Sequence, residues 1–301
     1  MQATPARSSS TSSPLPAEEV LALEVLGTPY LIESDPRWRD FLAQLWAPFV
    51  APTRVKGPVD ARICEEEIGW SLVFSEGWGV EDDDPWSLAN EMRNVLFSAV
   101  LESNAGRMVA LHAAVVERNG AGLLLAGSSG SGKTTLTLEL VDRGWTYHSD
   151  DLAPIYVDTG MVASFPKPLH VKDLSRWELY RKRWNPPPWV PAPRHSFLVP
   201  AVAFEPAKSA VVAPRHLLFP RYDPREKARL GRFSSARAVA WGTPNLCSSP
   251  RLGREGLDVV VRLCKQANAA EAVYGSAAEG ADLIERWVDR SATPVYHVAH
   301  E

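Results

Sequence analysis

The chain has 301 residues, of which 45% are hydrophobic and 23% charged, with a formal net charge of −4 and a pI near 6.0. These values predict a soluble globular protein and argue against a nucleic-acid-binding protein or one held at an anionic membrane. No apolar run approaches the roughly 18 residues of a membrane-spanning helix, and no apolar signal core follows the N-terminus. Three scattered cysteines fit a reducing compartment, so we expect a cytoplasmic protein.

The first third of the chain predicts a leader and an α/β subdomain. Residues 1–16 are rich in serine and are predicted to be a disordered leader, followed by an N-terminal subdomain over 17–107. Strands are predicted over 20–26, 30–32, 61–64 and 70–74, and helices after Asp35 and after the acidic run 81–84. We interpret the acidic run as a solvated helix start in preference to a metal site, because negative charge there meets the helix dipole.

Residues 108–290 are predicted to be the catalytic domain, and 291–301 a loose tail. A near-continuous apolar strand is predicted over 108–116 with His112 inside it, and the Asn119-Gly120 turn leads into a buried strand over 122–126. A helix that begins at Lys133 and a strand over 145–148 follow. The order strand, loop, helix, strand predicts an α/β fold with a mixed sheet around the loop.

The loop between that strand and that helix fits the P-loop pattern, a glycine, four residues and then Gly-Lys-Ser/Thr. Its small residues let backbone N–H groups turn toward phosphate oxygens, and the positive end of the helix dipole faces the same point. The Lys133 ammonium can reach the β- and γ-phosphates, and the Thr134 hydroxyl can ligate Mg²⁺. The predicted nucleotide-binding residues are Gly127, Ser128, Ser129, Gly130, Ser131, Gly132, Lys133, Thr134 and Thr135.

Two adjacent aspartates, Asp150 and Asp151, follow the strand over 145–148. One carboxylate could hold Mg²⁺ while the other accepts a hydroxyl proton, and the sequence does not assign the two roles. Ionised neighbours repel each other, so a bound Mg²⁺ favours the charged pair at neutral pH. A solvated loop with two acids is the alternative. No Asn-Lys-x-Asp motif is present, which argues against a GTPase.

The rest of the chain predicts strands over 153–157, 161–165, 197–204, 210–219 and 273–275, and helices over 174–184, 235–241, 257–268 and 278–288. The segment 176–193 combines Trp177, Tyr180 and Trp184 with basic residues and prolines. It is either the buried face of a core helix or a surface that receives the acceptor. Arg215 and Arg221 flank a Phe-Pro turn, and each is either a surface arginine or a catalytic residue that adds positive charge to the transferring phosphoryl.

Four stretches occur in a distinctive order and spacing: residues 111–116 with the sequence LHAAVV, the P-loop, residues 140–144 with LVDRG, and residues 149–151 with SDD. In these stretches the chain resembles the catalytic core of the HPr kinase/phosphorylase family, whose fold is related to that of phosphoenolpyruvate carboxykinase. It resembles more closely the HPr-kinase-related proteins found beside peptide-modification genes. The resemblance covers residues 108–170 and, loosely, 219–222.

The resemblance implies a P-loop mixed sheet of the HPr kinase/carboxykinase type and a set of site residues. Lys133 and Thr134 would bind the triphosphate and the metal, and Asp150 and Asp151 would between them bind the metal and act as the general base. His112 would lie near the phosphates, the alternative being a hydrogen-bonded core histidine. The segment 165–172 lacks the glycine-rich signature of members that also run phosphorolysis, so the resemblance implies neither that activity nor HPr as the substrate.

The leading functional prediction is an ATP- and Mg²⁺-dependent kinase that transfers the γ-phosphoryl group to a Ser or Thr hydroxyl of a protein or peptide. One alternative is a small-molecule kinase or carboxykinase-like enzyme. Another is a nucleotide-gated binding module with little turnover. The sequence does not distinguish ATP from GTP as the donor, name the acceptor, or establish whether the chain forms a homo-oligomer.

Overall fold

The computed structural model describes residues 4–5, 20–52, 57–204, 207, 209–247 and 253–292. Most of the predicted leader, and residues 293–301 of the predicted tail, lie outside these ranges. Within them, no helix combines the length and the apolar content that a membrane span requires. The described chain is a mixed α/β structure, as the sequence predicts.

The strands are β1 Thr4–Pro5, β2 Val20–Val25, β3 Thr28–Glu33, β4 Ala61–Glu65, β5 Trp70–Phe74, β6 Trp78–Asp82, β7 Met108–Leu111, β8 Ala113–Arg118, β9 Ala121–Ala126, β10 Thr146–Ser149, β11 Ala153–Tyr156, β12 Val162–Ala163, β13 Leu169–Val171, β14 Phe197–Val199, β15 Val211–Val212, β16 Pro214–Tyr222, β17 Arg229–Arg232 and β18 Asn268–Tyr274. The α-helices are α1 Pro36–Leu45, α2 Pro85–Ser103, α3 Lys133–Asp142, α4 Trp177–Trp184, α5 Ser235–Gly242, α6 Gly253–Gln266 and α7 Ala277–Ala292.

The chain divides into two compact units. The first contains the described residues of Met1–Asn104 and Phe165–Pro206, and the second those of Ala105–Ser164 and Ala207–Glu301. The sequence predicts a boundary after residue 107 and assigns 165–206 to the catalytic domain, whereas the structure groups this segment with the N-terminal residues. The reason is aromatic packing, since Trp177 and Phe197 of this segment both contact the ring of Trp86 in α2.

The first unit is built on a sheet with the strand order β1-β6-β5-β4-β3-β2. Its strand pairs are antiparallel except β3 with β4, and the connection between those two strands carries α1. Asp35 caps α1 by accepting a hydrogen bond from the N–H of Trp38 at 3.0 Å. Asp84 caps α2 in the same way through the N–H of Trp86 at 3.1 Å, so the acidic run is a helix start, as interpreted from the sequence.

Helix α4 contributes to the aromatic core of this first unit. Trp177 and Tyr180 are buried, and the ring of Trp184 stacks on that of Phe41 with a centroid distance of 6.3 Å. The aromatic side chains of the segment 176–193 therefore form the buried face that was one of the two interpretations. The basic side chains of the same helix are exposed, namely Arg181, Lys182 and Arg183.

The second unit contains a sheet with the strand order β10-β8-β9-β16-β18-β17. Strands β9, β16 and β18 are parallel to one another, while β8, β10 and β17 pair antiparallel to their neighbours. A smaller antiparallel sheet has the order β15-β12-β11-β7. Alternate residues of the large sheet face opposite sides, as the pleat requires. Leu124 and Leu217 face a core shared with the small sheet and α6, whereas His216 faces Trp287 of α7.

The predicted continuous strand over 108–116 is wrong at His112. The structure divides it into β7 and β8, which belong to different sheets. The backbone N–H of His112 donates to the carbonyl of Asn245 at 2.6 Å instead of joining the hydrogen-bond ladder of either sheet.

Four strands are not predicted from the sequence. These are β6, β13 and β17, together with β1, which falls within the predicted leader. The predicted short strand over 273–275 is the end of the longer β18.

Candidate functional site

The strands of the second unit bring the candidate residues to one edge of its large sheet. β9, β16 and β18 are parallel, and β10 runs in the same direction as β9 because both are antiparallel to β8. The carboxyl ends of these strands lead into the P-loop, Arg221, Tyr274 and Asp150, and His112 precedes β8 at the same edge. Ligands of α/β sheets bind outside the carboxyl ends of the strands, so this edge is the candidate site.

Two glycines of the P-loop have positive φ angles, Gly130 at 83° and Gly132 at 94°. L-residues with side chains rarely adopt this region, and glycine does so without steric cost. Space also requires a glycine at 132, because a Cβ atom there would lie 2.5 Å from the hydroxyl oxygen of Tyr274. That hydroxyl lies 3.4 Å from the carbonyl oxygen of Ser131, to which it donates. The loop is therefore shaped by the end of β18 as well as by its own sequence.

The ammonium group of Lys133 is enclosed by the loop. It donates to the carbonyl of Gly127 at 2.6 Å and to that of Ser128 at 3.1 Å, and its side chain is buried. Burial lowers the pKa of Lys133, and the nearby carboxylates of Asp151 and Asp150 act in the opposite direction. A cation held against carbonyl oxygens can exchange them for phosphate oxygens, which carry full negative charge.

His112 connects Lys133 to the double aspartate. Its Nε2 lies 3.1 Å from Nζ of Lys133, and its Nδ1 lies 3.2 Å from the backbone carbonyl of Asp151. An ammonium group can only donate, and a carbonyl can only accept, so a neutral ring protonated on Nδ1 satisfies both contacts. His112 is thus hydrogen-bonded beside the P-loop lysine, and its position near bound phosphates stays a prediction.

Asp150 contacts the P-loop helix directly. The hydroxyl of Thr134 lies 3.3 Å from Oδ1 and 3.4 Å from Oδ2 of Asp150, and Asp150 is fully buried. Asp151 is half-buried and has a φ of 61°, an uncommon angle for a residue other than glycine. Its carbonyl consequently points back to His112. The two carboxylates are neighbours in sequence but stand in different environments.

The comparisons with known proteins find similarity over part of the chain. The HPr kinase/phosphorylase of Treponema pallidum (strain Nichols) is 43% identical over 56 residues, which are 19% of this chain and 18% of that protein. That of Listeria monocytogenes serotype 4a (strain HCC23) is 33% identical over 81 residues, which are 27% of this chain and 26% of that protein. The chain is similar in part to HPr kinase/phosphorylase.

A second comparison concerns a different family. The family described as SynChlorMet cassette protein ScmC matches residues 81–170, which is under half of the chain. The matched region includes the P-loop and the double aspartate. The chain also covers less than a third of the length of the HPr kinase/phosphorylase relatives.

The two candidate arginines lie at opposite ends of β16. Arg221 ends the strand beside the P-loop, where its guanidinium lies 3.6 Å from Glu271 and 3.9 Å from Glu226. Arg215 is exposed at the start of β16, about 20 Å away at the usual rise of a strand. Arg215 therefore lies far from the P-loop, and Arg221 is the candidate arginine that borders it.

Oxygen ligands for a cation are available in the site. Carboxylate and hydroxyl oxygens of Asp150, Asp151 and Thr134 are of the type that Mg²⁺ prefers. In the described part of the chain, no group of three or more His, Cys, Asp or Glu side chains could hold a metal ion. Mg²⁺ in phosphoryl-transfer sites is usually bound by one or two carboxylates together with substrate phosphates, so the residues present fit that cation.

Sequence reasoning missed two residues that support the site. Tyr274 donates to the P-loop at Ser131, and Asn245 accepts from the backbone of His112. Both lie more than a hundred residues from their partners, and their contacts depend on how distant elements pack, which no local pattern reveals. A strand was predicted to end near Tyr274, but nothing in its spacing linked that end to the P-loop.

Proposed function

We propose that the protein is an ATP- and Mg²⁺-dependent kinase that transfers the γ-phosphoryl group to a Ser or Thr hydroxyl of a protein or peptide. The observation that carries the proposal is the contact between Thr134 of the P-loop and the buried Asp150, with Lys133, His112 and Asp151 beside it. Partial similarity to HPr kinase/phosphorylase supports it, since the name of these relatives states a kinase activity toward HPr. A P-loop sheet of the HPr kinase/carboxykinase type is part of the proposal.

The P-loop and Lys133 would bind the triphosphate. Backbone N–H groups at the start of α3 offer donors to phosphate oxygens, and the helix dipole adds positive potential. Lys133 would exchange the carbonyls of Gly127 and Ser128 for oxygens of the β- and γ-phosphates. The hydrogen bond to His112 restricts the motion of the Lys133 ammonium group, so this group is already positioned when the nucleotide binds.

Asp150 and Thr134 would hold Mg²⁺, because their oxygens already lie within 3.4 Å of each other at the end of β10. When bound, Mg²⁺ supplies charge that neutralises the phosphate oxygens during transfer. This assignment leaves Asp151, the more exposed of the pair, as the proton acceptor. The backbone carbonyl of Asp151 contacts His112, and this contact fixes the position of Asp151 relative to Lys133.

The proposed reaction is an in-line transfer. The acceptor hydroxyl oxygen forms a bond to the γ-phosphorus while the bond from that phosphorus to the β–γ bridging oxygen breaks, and ADP leaves with the electron pair. The hydroxyl proton passes to the carboxylate of Asp151. Arg221 borders the P-loop and could leave its carboxylate partners to contact the transferring group.

The proposal is tested by incubating the protein with Mg²⁺, γ-labelled ATP and a protein extract, with Lys133→Ala as the matched control. We expect label in protein-bound Ser or Thr with the parent and none with the variant, and mass spectrometry then maps the modified residue. Label in a low-mass product would support a small-molecule kinase instead. Binding of ATP without any label transfer would support a nucleotide-gated binding module.

A further inference from the structure

One aromatic side chain of the second unit lies between the P-loop and helix α7. Tyr274, the last residue of β18, is 1% exposed. A Cβ atom at Gly132 would lie 2.5 Å from its hydroxyl oxygen, and a Cβ atom at Gly280 of α7 would lie 2.9 Å from its Cγ atom. Both distances are far below van der Waals contact, so each glycine leaves space for one end of this side chain. The hydroxyl end of Tyr274 therefore abuts the P-loop, and the base of its ring abuts α7.

The backbone of Tyr274 is held by strand pairing. Tyr274 pairs with Tyr222 of β16 in the parallel ladder, and its carbonyl accepts from the N–H of Asp223 at 3.0 Å. On the side of α7, a Cβ atom at Gly280 would also lie 3.1 Å from Cδ1 of Leu136 in α3, so the space around the base of the ring is filled. The position of the Tyr274 hydroxyl is therefore determined by elements outside the P-loop.

Two donors converge on the backbone carbonyl of Ser131 in the P-loop. The hydroxyl of Tyr274 lies 3.4 Å from this oxygen, and the backbone nitrogen of Tyr222 lies 3.3 Å from it. Burial raises the pKa of Tyr274, so its hydroxyl keeps the proton that it donates. In a planar trans peptide, the carbonyl of one residue and the N–H of the next point in opposite directions. Contacts that direct the Ser131 carbonyl toward β16 and β18 therefore direct the N–H of Gly132 away from those strands.

We propose that Tyr274 is a positioning residue for phosphate binding, and that Gly280 of α7 seats it so that the N–H of Gly132 is presented to the triphosphate. The inference rests on the proposed function, because a bound phosphate is what would use that donor. Gly132 directly precedes the first residue of α3, and N–H groups at the start of a helix have no partner within it and bind anions. A shift of the Tyr274 ring would turn this donor away from a phosphate oxygen without removing any atom of the P-loop.

The test measures binding of inorganic tripolyphosphate in the presence of Mg²⁺ by calorimetry. In Gly280→Ala the added methyl group must displace the ring of Tyr274, so we expect the affinity to fall about 10-fold to 100-fold, as on loss of a hydrogen bond to a charged group. Tyr274→Phe keeps the ring and removes the hydroxyl, so it should weaken binding less, about 2-fold to 10-fold, as on loss of a neutral hydrogen bond. Gly242→Ala in α5 is the matched control, because its methyl group would lie 3.4 Å from Val260, which is an ordinary contact distance.

The amide NMR signal of Gly132, in protein with isotope-labelled glycine, separates positioning from stability. It should shift on saturation with tripolyphosphate in the parent, and shift less in Gly280→Ala. Lower melting temperatures with parent-like affinity and shift in the folded variants would mean a purely structural role, and would overturn the inference while leaving the proposed function intact. If Gly280→Ala does not fold, Tyr274→Phe carries the test by the same criteria. Failure of the parent to bind either tripolyphosphate or a non-hydrolysable ATP analogue would overturn the proposed function and the inference together.

Discussion

Nζ of Lys133 lies 3.1 Å from Nε2 of His112. Lys133 is the first residue of α3, and His112 directly precedes β8 and contacts the carbonyl of Asp151. The contact therefore joins the start of the P-loop helix to the double aspartate. A neutral imidazole is required there, because a protonated ring would offer a second cation to the ammonium. The P-loop lysine is therefore positioned by a histidine 21 residues earlier in the chain as well as by the loop carbonyls.

Replacing Lys133 with Ala should weaken triphosphate binding and abolish phosphoryl transfer. The loss of one charge-assisted contact costs about 1.5–3 kcal/mol in binding. Lys133 is only 5% exposed, so Lys133→Met is the matched variant that keeps the apolar stem. Calorimetry with the ATP analogue and melting temperatures of both variants separate lost binding from lost folding. Unchanged affinity and turnover in a folded variant would contradict the P-loop assignment.

Asp150→Asn and Asp151→Asn should differ from each other. Asp150 accepts from Thr134, so its loss should raise the Mg²⁺ concentration needed for half-maximal activity. Loss of Asp151 should lower kcat about a hundredfold to ten-thousandfold, as removal of a general base does, with the Mg²⁺ requirement preserved. Rates measured across a Mg²⁺ titration distinguish the two. Parent-like turnover in both variants would mean that the pair is a solvated loop.

The fold could be predicted where the sequence carries local signals. Asp35 and Asp84 each precede a proline and each caps a helix, and the P-loop motif lies between a buried strand and α3. The sequence failed where pairing is non-local. β17 runs from Arg229 to Arg232 at the edge of its sheet, with charged and glycine residues that show no strand pattern. Its existence depends on β18, almost forty residues later.

The candidate site likewise contains residues that the local sequence predicts and residues that only the folded structure reveals. The residues of the P-loop are contiguous, and Asp150 and Asp151 follow within one helix and one strand, so spacing alone was enough to group them. Trp241 and Asn245 reach the same edge of the sheet from α5 and the turn after it, and no motif marks them. Three-dimensional proximity was the missing information.

The stability of the protein should depend on pH through His216. The ring is 3% exposed and lies edge-on to Trp287, with centroids 5.0 Å apart. Burial lowers the pKa of His216 below the usual 6.5, and the charge of Arg215 lowers it further. Below pH 6.5 the unfolded chain therefore binds a proton that the folded chain does not, so the free energy of unfolding falls as pH decreases.

The measurement compares the parent with His216→Phe, which keeps a ring against Trp287 and removes the titration. From pH 6.5 downward the parent should lose stability relative to the variant by at most about 1.4 kcal/mol per pH unit, and the difference should level off below the folded-state pKa. Above pH 6.5 the difference should be constant. Melting curves that stay parallel at every pH would show that His216 has an ordinary pKa.

Replacing Arg181 and Arg183 together with Ala should raise the KM for a peptide acceptor several-fold and leave the KM for ATP nearly unchanged. Both side chains are exposed on α4, whereas Trp177 and Tyr180 of the same helix are buried. Arg181 forms an exposed ion pair with Glu178 at 2.7 Å, and the guanidinium of Arg183 lies 5.0 Å from the ring of Tyr180. The buried aromatic side chains hold the helix, so its basic face is available to a partner at little cost in ordering.

Steady-state kinetics with the two substrates varied in turn decide this prediction, because a merely structural helix would move neither KM. The conservative double variant Arg181→Lys with Arg183→Lys keeps both charges and should retain most of the acceptor affinity. Melting temperatures of both double variants should stay close to that of the parent, since exposed ion pairs contribute little to stability. If the KM for the acceptor did not change in the alanine variant, the basic residues of α4 would be a solvated face over an aromatic core, with no part in acceptor binding.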